Sequence, residues 1–163
     1  MNQRVILLVE DNSDDEVLTI RALKENLIVN PVVVAHDGVE ALDYLFSKGK
    51  WEGRSPDQAP AMTLLDLKLP KVDGLEVLRR IRAHDSTRLL PVVILTSSKE
   101  ERDLTKGYSL GCNSYIHKPV DFEQFRSTVE QLGLYWLVVN EPPPAVGKIG
   151  GVDEEGRKSE VKD

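Results

Sequence analysis

The residues of this chain that could do chemistry stand at the ends of short apolar runs. "LLDLKLPKVDG" (64–74) carries a carboxylate, Asp66, almost at the end of its run. A buried, unpaired carboxylate costs several kcal/mol, so Asp66 must be held ionised by a partner or put to use. "VILLVED" (5–11) ends in Glu10 and Asp11, "VVILTSS" (92–98) carries Thr96 and Ser97, and "SYIHKP" (114–119) ends in Lys118 and Pro119. Alone, each has an ordinary reading: an acidic first helical turn, a solvated strand end, a turn hydroxyl, a surface lysine. Their coincidence at the ends of separate runs is what those readings leave unexplained. If the first and third runs are neighbours, three carboxylates crowd one crevice. Two of them about 5 Å apart repel by about 3 kcal/mol at an effective dielectric of about 20. Either one is then protonated or a cation sits among them. Hard oxygen ligands with room for water favour Mg²⁺. Lys118 adds positive charge without closing the metal site.

The elements that must position these groups are legible from their pattern. "RVILLV" (4–9), "PVVVA" (31–35), "MTLLDL" (62–67), "PVVILT" (91–96) and "SYIH" (114–117) read as strands. They are apolar throughout rather than alternating, which suits a parallel sheet covered on both faces. Helical segments lie between them. Ser13 with Glu16, Asp37 with Glu40, Ser98 with Glu101 and Asp121 with Gln124 have capping-box spacing, and Gly111 suits a C-terminal cap. The order of βα units predicts a doubly wound α/β fold, a five-stranded parallel sheet with helices on both faces. In such sheets ligands bind beyond the carboxyl ends of the strands, where the acids and Lys118 fall.

The polar stretch 47–61, "SKGKWEGRSPDQAPA", reads as a long functional or flexible loop. From Asn140 the chain lacks apolar periodicity and reads as a disordered tail, 140–163. The last helix carries Phe122, Phe125, Val129, Leu132 and Trp136 as one stripe, and "LYWLVV" (134–139) is apolar all round. That predicts an exposed apolar patch and, through it, a homodimer.

The 163 residues allow one domain with a proper core, and a net charge of −6 without a basic cluster argues against nucleic acid or an anionic membrane. Cys112, the single cysteine, excludes an internal disulfide and fits a reducing compartment. No run is long enough for a signal peptide core or a membrane span, so a cytoplasmic location is expected. His36, His84 and His117 show no ligand spacing and read as surface or turn residues.

"VILLVEDNSDD", "LLDLKLPKVDG", "VVILTSS" and "SYIHKP", in that order, resemble the receiver domain of two-component response regulators, over residues 4 to about 137. The resemblance implies a flavodoxin-like sheet of order 2-1-3-4-5 and a receiver domain over 1–139. It implies Asp66 as phospho-acceptor, Asp11 and Asp66 as Mg²⁺ ligands with the Lys68 backbone carbonyl, and Glu10 through a metal-bound water. It also implies Thr96 as switch hydroxyl, Lys118 as the motif lysine before a cis proline, and Tyr115 as aromatic switch. Lys68 departs from many receivers, which carry asparagine or another residue there. The partner implied is a histidine kinase, and the output face is that of helix four, strand five and helix five. The long loop and the aromatic end of helix five resemble single-domain regulators that pair with bacterial phytochromes. Three rival readings stay open. One is a receiver-like module that binds without phosphate. The second is a Mg²⁺-dependent aspartyl-phosphate phosphatase, which would want an Asp-x-Asp pair after strand one. The third is a flavin module, whose phosphate two acids there would repel.

Overall fold

The computed structural model describes residues 4–55, 59–97 and 101–132. The apolar runs become β1 (Ile6–Val9), β2 (Val32–Ala35), β3 (Met62–Asp66), β4 (Val92–Thr96) and β5 (Ser114–His117), within one or two residues of the sequence reading. They form one sheet, all parallel, in the order β2-β1-β3-β4-β5. Helices α1 (Ser13–Glu25), α2 (Gly38–Leu45), α3 (Gly74–Ala83), α4 (Glu101–Ser109) and α5 (Phe122–Leu132) connect and follow them. The fold class and strand order are as the sequence predicts. Among the described residues no helix is long and apolar enough to cross a membrane.

Successive strand residues point to opposite faces, and both faces are buried, which is why the strands are apolar throughout. Leu7, Val9, Leu65, Val92 and Ile94 pack with Ala41 and Leu45 of α2 and with Val77, Leu78 and Ile81 of α3. Ile6, Leu8, Leu64, Val93, Leu95 and Ile116 pack with Ala22 and Leu23 of α1 and with Phe125 and Val129 of α5. Of the expected α5 stripe, the side chain of Leu132 lies outside the described residues, as do Trp136, the segment 134–139 and the tail.

The helix starts differ in detail from their spacing. α1 is capped by Asn12, whose side chain accepts from Asp15 N at 2.9 Å, so Ser13 is the first helical residue and not the cap. The cause is Glu10: its Oε2 accepts Asn12 N at 3.2 Å and turns Asn12 over the helix end. Asp37 caps α2 through Glu40 N, yet Glu40 Oε1 accepts the N–H of His36 and not that of Asp37. Asp73 caps α3 through Glu76 N, a pair of the same spacing that the sequence reading passed over. Asp121 Oδ1 accepts from Gln124 N at the start of α5, whereas Ser98 lies outside the described residues. Gly111, at φ +99°, ends α4 as expected.

The stretch 47–61 is more ordered than its composition suggests. Gly49–Trp51 form a 3₁₀ turn, and Trp51 meets Tyr44 of α2 edge to face. Arg54 stacks on Tyr44 and donates to the Tyr44 carbonyl at 2.6 and 3.0 Å, tying down the C-terminal end of α2. Residues 56–58 lie outside the described residues.

One glycine fixes the acidic strand end. A Cβ on Gly74 would lie 2.2 Å from the Asp66 carbonyl oxygen and 2.7 Å from Leu67 Cα, so α3 starts directly against the backbone that carries Asp66. Gly74→Ala is expected to cost about 2–3 kcal/mol in urea unfolding and to weaken divalent-metal binding measured by calorimetry, because Asp66 must move with its backbone.

Candidate functional site

Sheet register brings the site together. Val9 pairs with Leu65, so Glu10 and Asp66 come level one residue later at the same edge. Asp66 pairs with Leu95 and Thr96 with His117, so Thr96 and Lys118 end their strands in the next two positions. The alternation places Glu10, Asp66 and Lys118 on the face covered by α1 and α5. It places Thr96 and Tyr115 on the opposite face.

Lys118 gathers the carboxylates. Its ammonium lies 2.7 Å from Glu10 Oε1, 3.0 Å from Asp66 Oδ2 and 3.1 Å from Asp15 Oδ2. Glu10 is wholly buried and Asp66 is 4% exposed. Asp66 Oδ1 also accepts from Lys68 N at 3.2 Å. Asp11, exposed at the rim, completes a group with Glu10 and Asp66 in which one carboxylate oxygen from each lies within 4.8 Å of the others. Beside it opens a cavity of about 450 Å³ lined by Asp11, Leu67, Lys68, Leu69, Pro70, Asp73 and Leu75.

Burial pushes the Glu10 carboxyl up to about 7, and the Asp66 charge adds to this against the pull of Lys118. Burial alone would lower the Lys118 pKa, but its contacts with Glu10 and Asp66 outweigh it and hold the ammonium above its usual value. One positive charge thus faces a surplus of carboxylate. The donors are all hard oxygens, and exposed Asp11 leaves room for water, so the site fits a small divalent cation.

The raised Glu10 carboxyl has a pH consequence. Unfolded glutamate releases its proton near 4.5 and folded Glu10 near 7, so the folded state binds more protons between these values. Its contribution to stability is full below about 4.5 and is lost as pH rises through about 7. Metal-free protein is expected to lose about 3 kcal/mol on this account, measured by urea unfolding across that window, while Glu10→Gln lacks this loss.

Of the residues singled out in the sequence, the structure brings Glu10, Asp11, Asp66 and Lys118 into one cluster and sets Lys68 in the loop beside it. Lys118–Pro119 is cis. Thr96 is wholly buried at the end of β4. Tyr115 is half-buried, its ring edge-on to Tyr108 of α4 and to His117. The histidines join no common site: His36 faces Glu16 and Glu40, and His84 packs on Phe46. Cys112 is a buried packing residue whose thiol burial pushes up to about 11. The sequence reading gave Asp15 no role. No local signal could have found it, because its partner Lys118 lies 103 residues away.

A parallel sheet of order 2-1-3-4-5, with acids and a lysine converging beyond its carboxyl edge, defines a receiver-type signalling domain. The chain belongs to the response regulator receiver domain family, which matches residues 6–130. It is 45% identical to the probable methanogenesis regulatory protein FilR2 of Methanothrix harundinacea, covering 85% of this chain and 87% of that one. Among solved structures it is similar to the bacteriophytochrome response regulator AtBRR, with a TM-score of 0.76 and 52% identity over 86% of this chain and 100% of that one. It is also similar to the phosphorylated cyanobacterial phytochrome response regulator RcpA (TM-score 0.71, 37% identity, 87% and 99% covered). The Mn²⁺-bound form of response regulator Rcp1 matches at a TM-score of 0.71 and 35% identity, with 86% and 99% covered.

Proposed function

We propose that this chain relays a signal by accepting a phosphoryl group on Asp66 from a phosphohistidine of a partner kinase. The observation that carries this reading is the cluster itself: Asp66 lies 3.0 Å from the Lys118 ammonium, with one carboxylate oxygen within 4.8 Å of one each from Glu10 and Asp11. An Asp66 carboxylate oxygen attacks phosphorus, the P–N bond breaks, and the imidazole leaves with its electron pair. Asp11, Asp66 and the Lys68 carbonyl would hold Mg²⁺, which when bound neutralises charge on the phosphoryl oxygens. Glu10, with Lys118 on one oxygen and Asn12 N on the other, acts through water. Lys118 makes a second cationic contact with the phosphoryl group. Water later attacks the acyl phosphate and restores Asp66. The chain's own chemistry in this reading is acceptance of the phosphoryl group and its later hydrolysis to inorganic phosphate.

Loading Asp66 adds nearly two negative charges. Thr96 then donates a hydrogen bond to the phosphoryl group, and Tyr115 turns inward between β5 and α4. The changed surface is the α4–β5–α5 face, where Tyr108 is half exposed. We assign homodimerisation to this end, and sedimentation as a monomer at tens of micromolar, loaded or not, would remove it. The similarity to phytochrome response regulators supports a bacterial phytochrome as the kinase. Faster phosphotransfer from an unrelated histidine kinase would argue against that partner.

The decisive test is incubation with Mg²⁺ and acetyl phosphate, read by intact mass. One added phosphoryl group is expected, with Asp66 as the modified residue after reductive trapping and digestion. An adduct elsewhere, or none, refutes the reading.

A further inference from the structure

The lysine of the site has a third counter-ion for which the acceptor reading has no task. An ammonium has three N–H donors, and Glu10, Asp66 and Asp15 lie within 2.7, 3.0 and 3.1 Å of Lys118 Nζ. The three carboxylates are not equivalent. Glu10 is wholly buried and its other oxygen holds Asn12 N. Asp66 is the acceptor itself. Asp15 sits in the first turn of α1 with its side chain 28% exposed, so water can take it over when it lets go. It also stands outside the group of acids that could hold a metal.

We infer that Asp15 is a positioning residue: it parks Lys118 in the resting state and is the partner that Lys118 exchanges for phosphoryl oxygens. The inference rests on Asp66 as acceptor. Because Asp15 and Asp66 touch one ammonium, their contacting oxygens are at most about 6 Å apart. Asp15 therefore also repels an incoming phosphoryl dianion at short range. Both effects slow uptake, and both disappear with the charge of Asp15.

The test uses the full chain with Mg²⁺ and acetyl phosphate, reading the uptake rate by intact mass. The Lys118 ¹³Cε–¹Hε resonance, assigned by its loss in Lys118→Arg, is read alongside. Asp15→Asn is expected to take up phosphate about three- to tenfold faster, allowing for the partial exposure of Asp15. Its Lys118 resonance should differ from wild type in the resting protein and coincide with it once loaded. Asp15→Glu should restore the wild-type rate. A merely structural role for Asp15 would not confine the resonance shift to one state. Uptake at or below the wild-type rate, or an unchanged resting resonance, overturns the proposal. Absence of any wild-type adduct refutes the acceptor reading and the exchange with it, while the resting resonance still decides whether Asp15 holds Lys118.

Discussion

Asp66→Asn is expected to gain no phosphoryl group from acetyl phosphate and Mg²⁺ under conditions where the wild type gains one. The substitution preserves shape: an amide oxygen can still accept from Lys68 N, which the Asp66 carboxylate meets at 3.2 Å. What it removes is the anionic nucleophile, and a neutral amide oxygen does not attack phosphorus at a useful rate. The same change removes one of the carboxylates crowding a single ammonium. Metal-free Asp66→Asn should therefore be more stable than wild type by about 1 kcal/mol, seen as a melting point a few degrees higher. Its affinity for Mg²⁺ should fall about tenfold or more, because a charged ligand is lost. Chemistry and stability are thus predicted to move in opposite directions. A variant that still takes up phosphate would place the nucleophile on another side chain.

Lys118→Met is expected to be the most destabilising change in the site at alkaline pH and a mild one in acid. Methionine keeps the unbranched length of the lysine and fills its space. Only the charge goes, leaving Glu10 wholly buried without its 2.7 Å partner. Removing one member of a buried pair costs about 3–5 kcal/mol when the other stays charged. Glu10 can avoid part of this by keeping its proton, since burial already pushes its carboxyl up to about 7 and loss of Lys118 pushes it further. Lys118 itself is charged across this range, its pKa lying above the usual 10.5. The deficit relative to wild type should be below about 1 kcal/mol near pH 5, where Glu10 is neutral in both proteins, and grow by about 1 kcal/mol by pH 8, since each pH unit above the wild-type value of about 7 adds at most about 1.4 kcal/mol. Urea unfolding at the two pH values reads this directly. Phosphoryl uptake should fall at least about tenfold for want of a cation beside the incoming oxygens.

The expected capping box of Ser13 with Glu16 is displaced by Asn12, because Glu10, two residues before it, accepts the Asn12 N–H. Glu16 instead meets His36, which follows β2 and is distant in sequence. The stretch 47–61 looked like loop because glycine and proline obscure the aromatic contacts that seat Trp51 and Arg54 on Tyr44. Asp15 was invisible as a site residue because its partner, Lys118, comes 103 residues later. The contacts of Glu16 and Asp15 join segments that local pattern cannot relate, whereas the Glu10–Asn12 contact is local and follows from the burial of Glu10.

Strand existence and the acidic character of the edge follow from local chemistry, apolar runs that suit burial on both faces with charged residues confined to their ends, whereas strand order follows only from the resemblance to receiver domains. Asp66, Asp11, Glu10 and Lys118 are therefore legible in the sequence. The tertiary structure decided how one ammonium is shared, which acid is wholly buried, and how close α3 comes to the acceptor strand. Those depend on distances of a few ångströms across the sheet edge, where desolvation and Coulomb energy change steeply and sequence spacing carries no information.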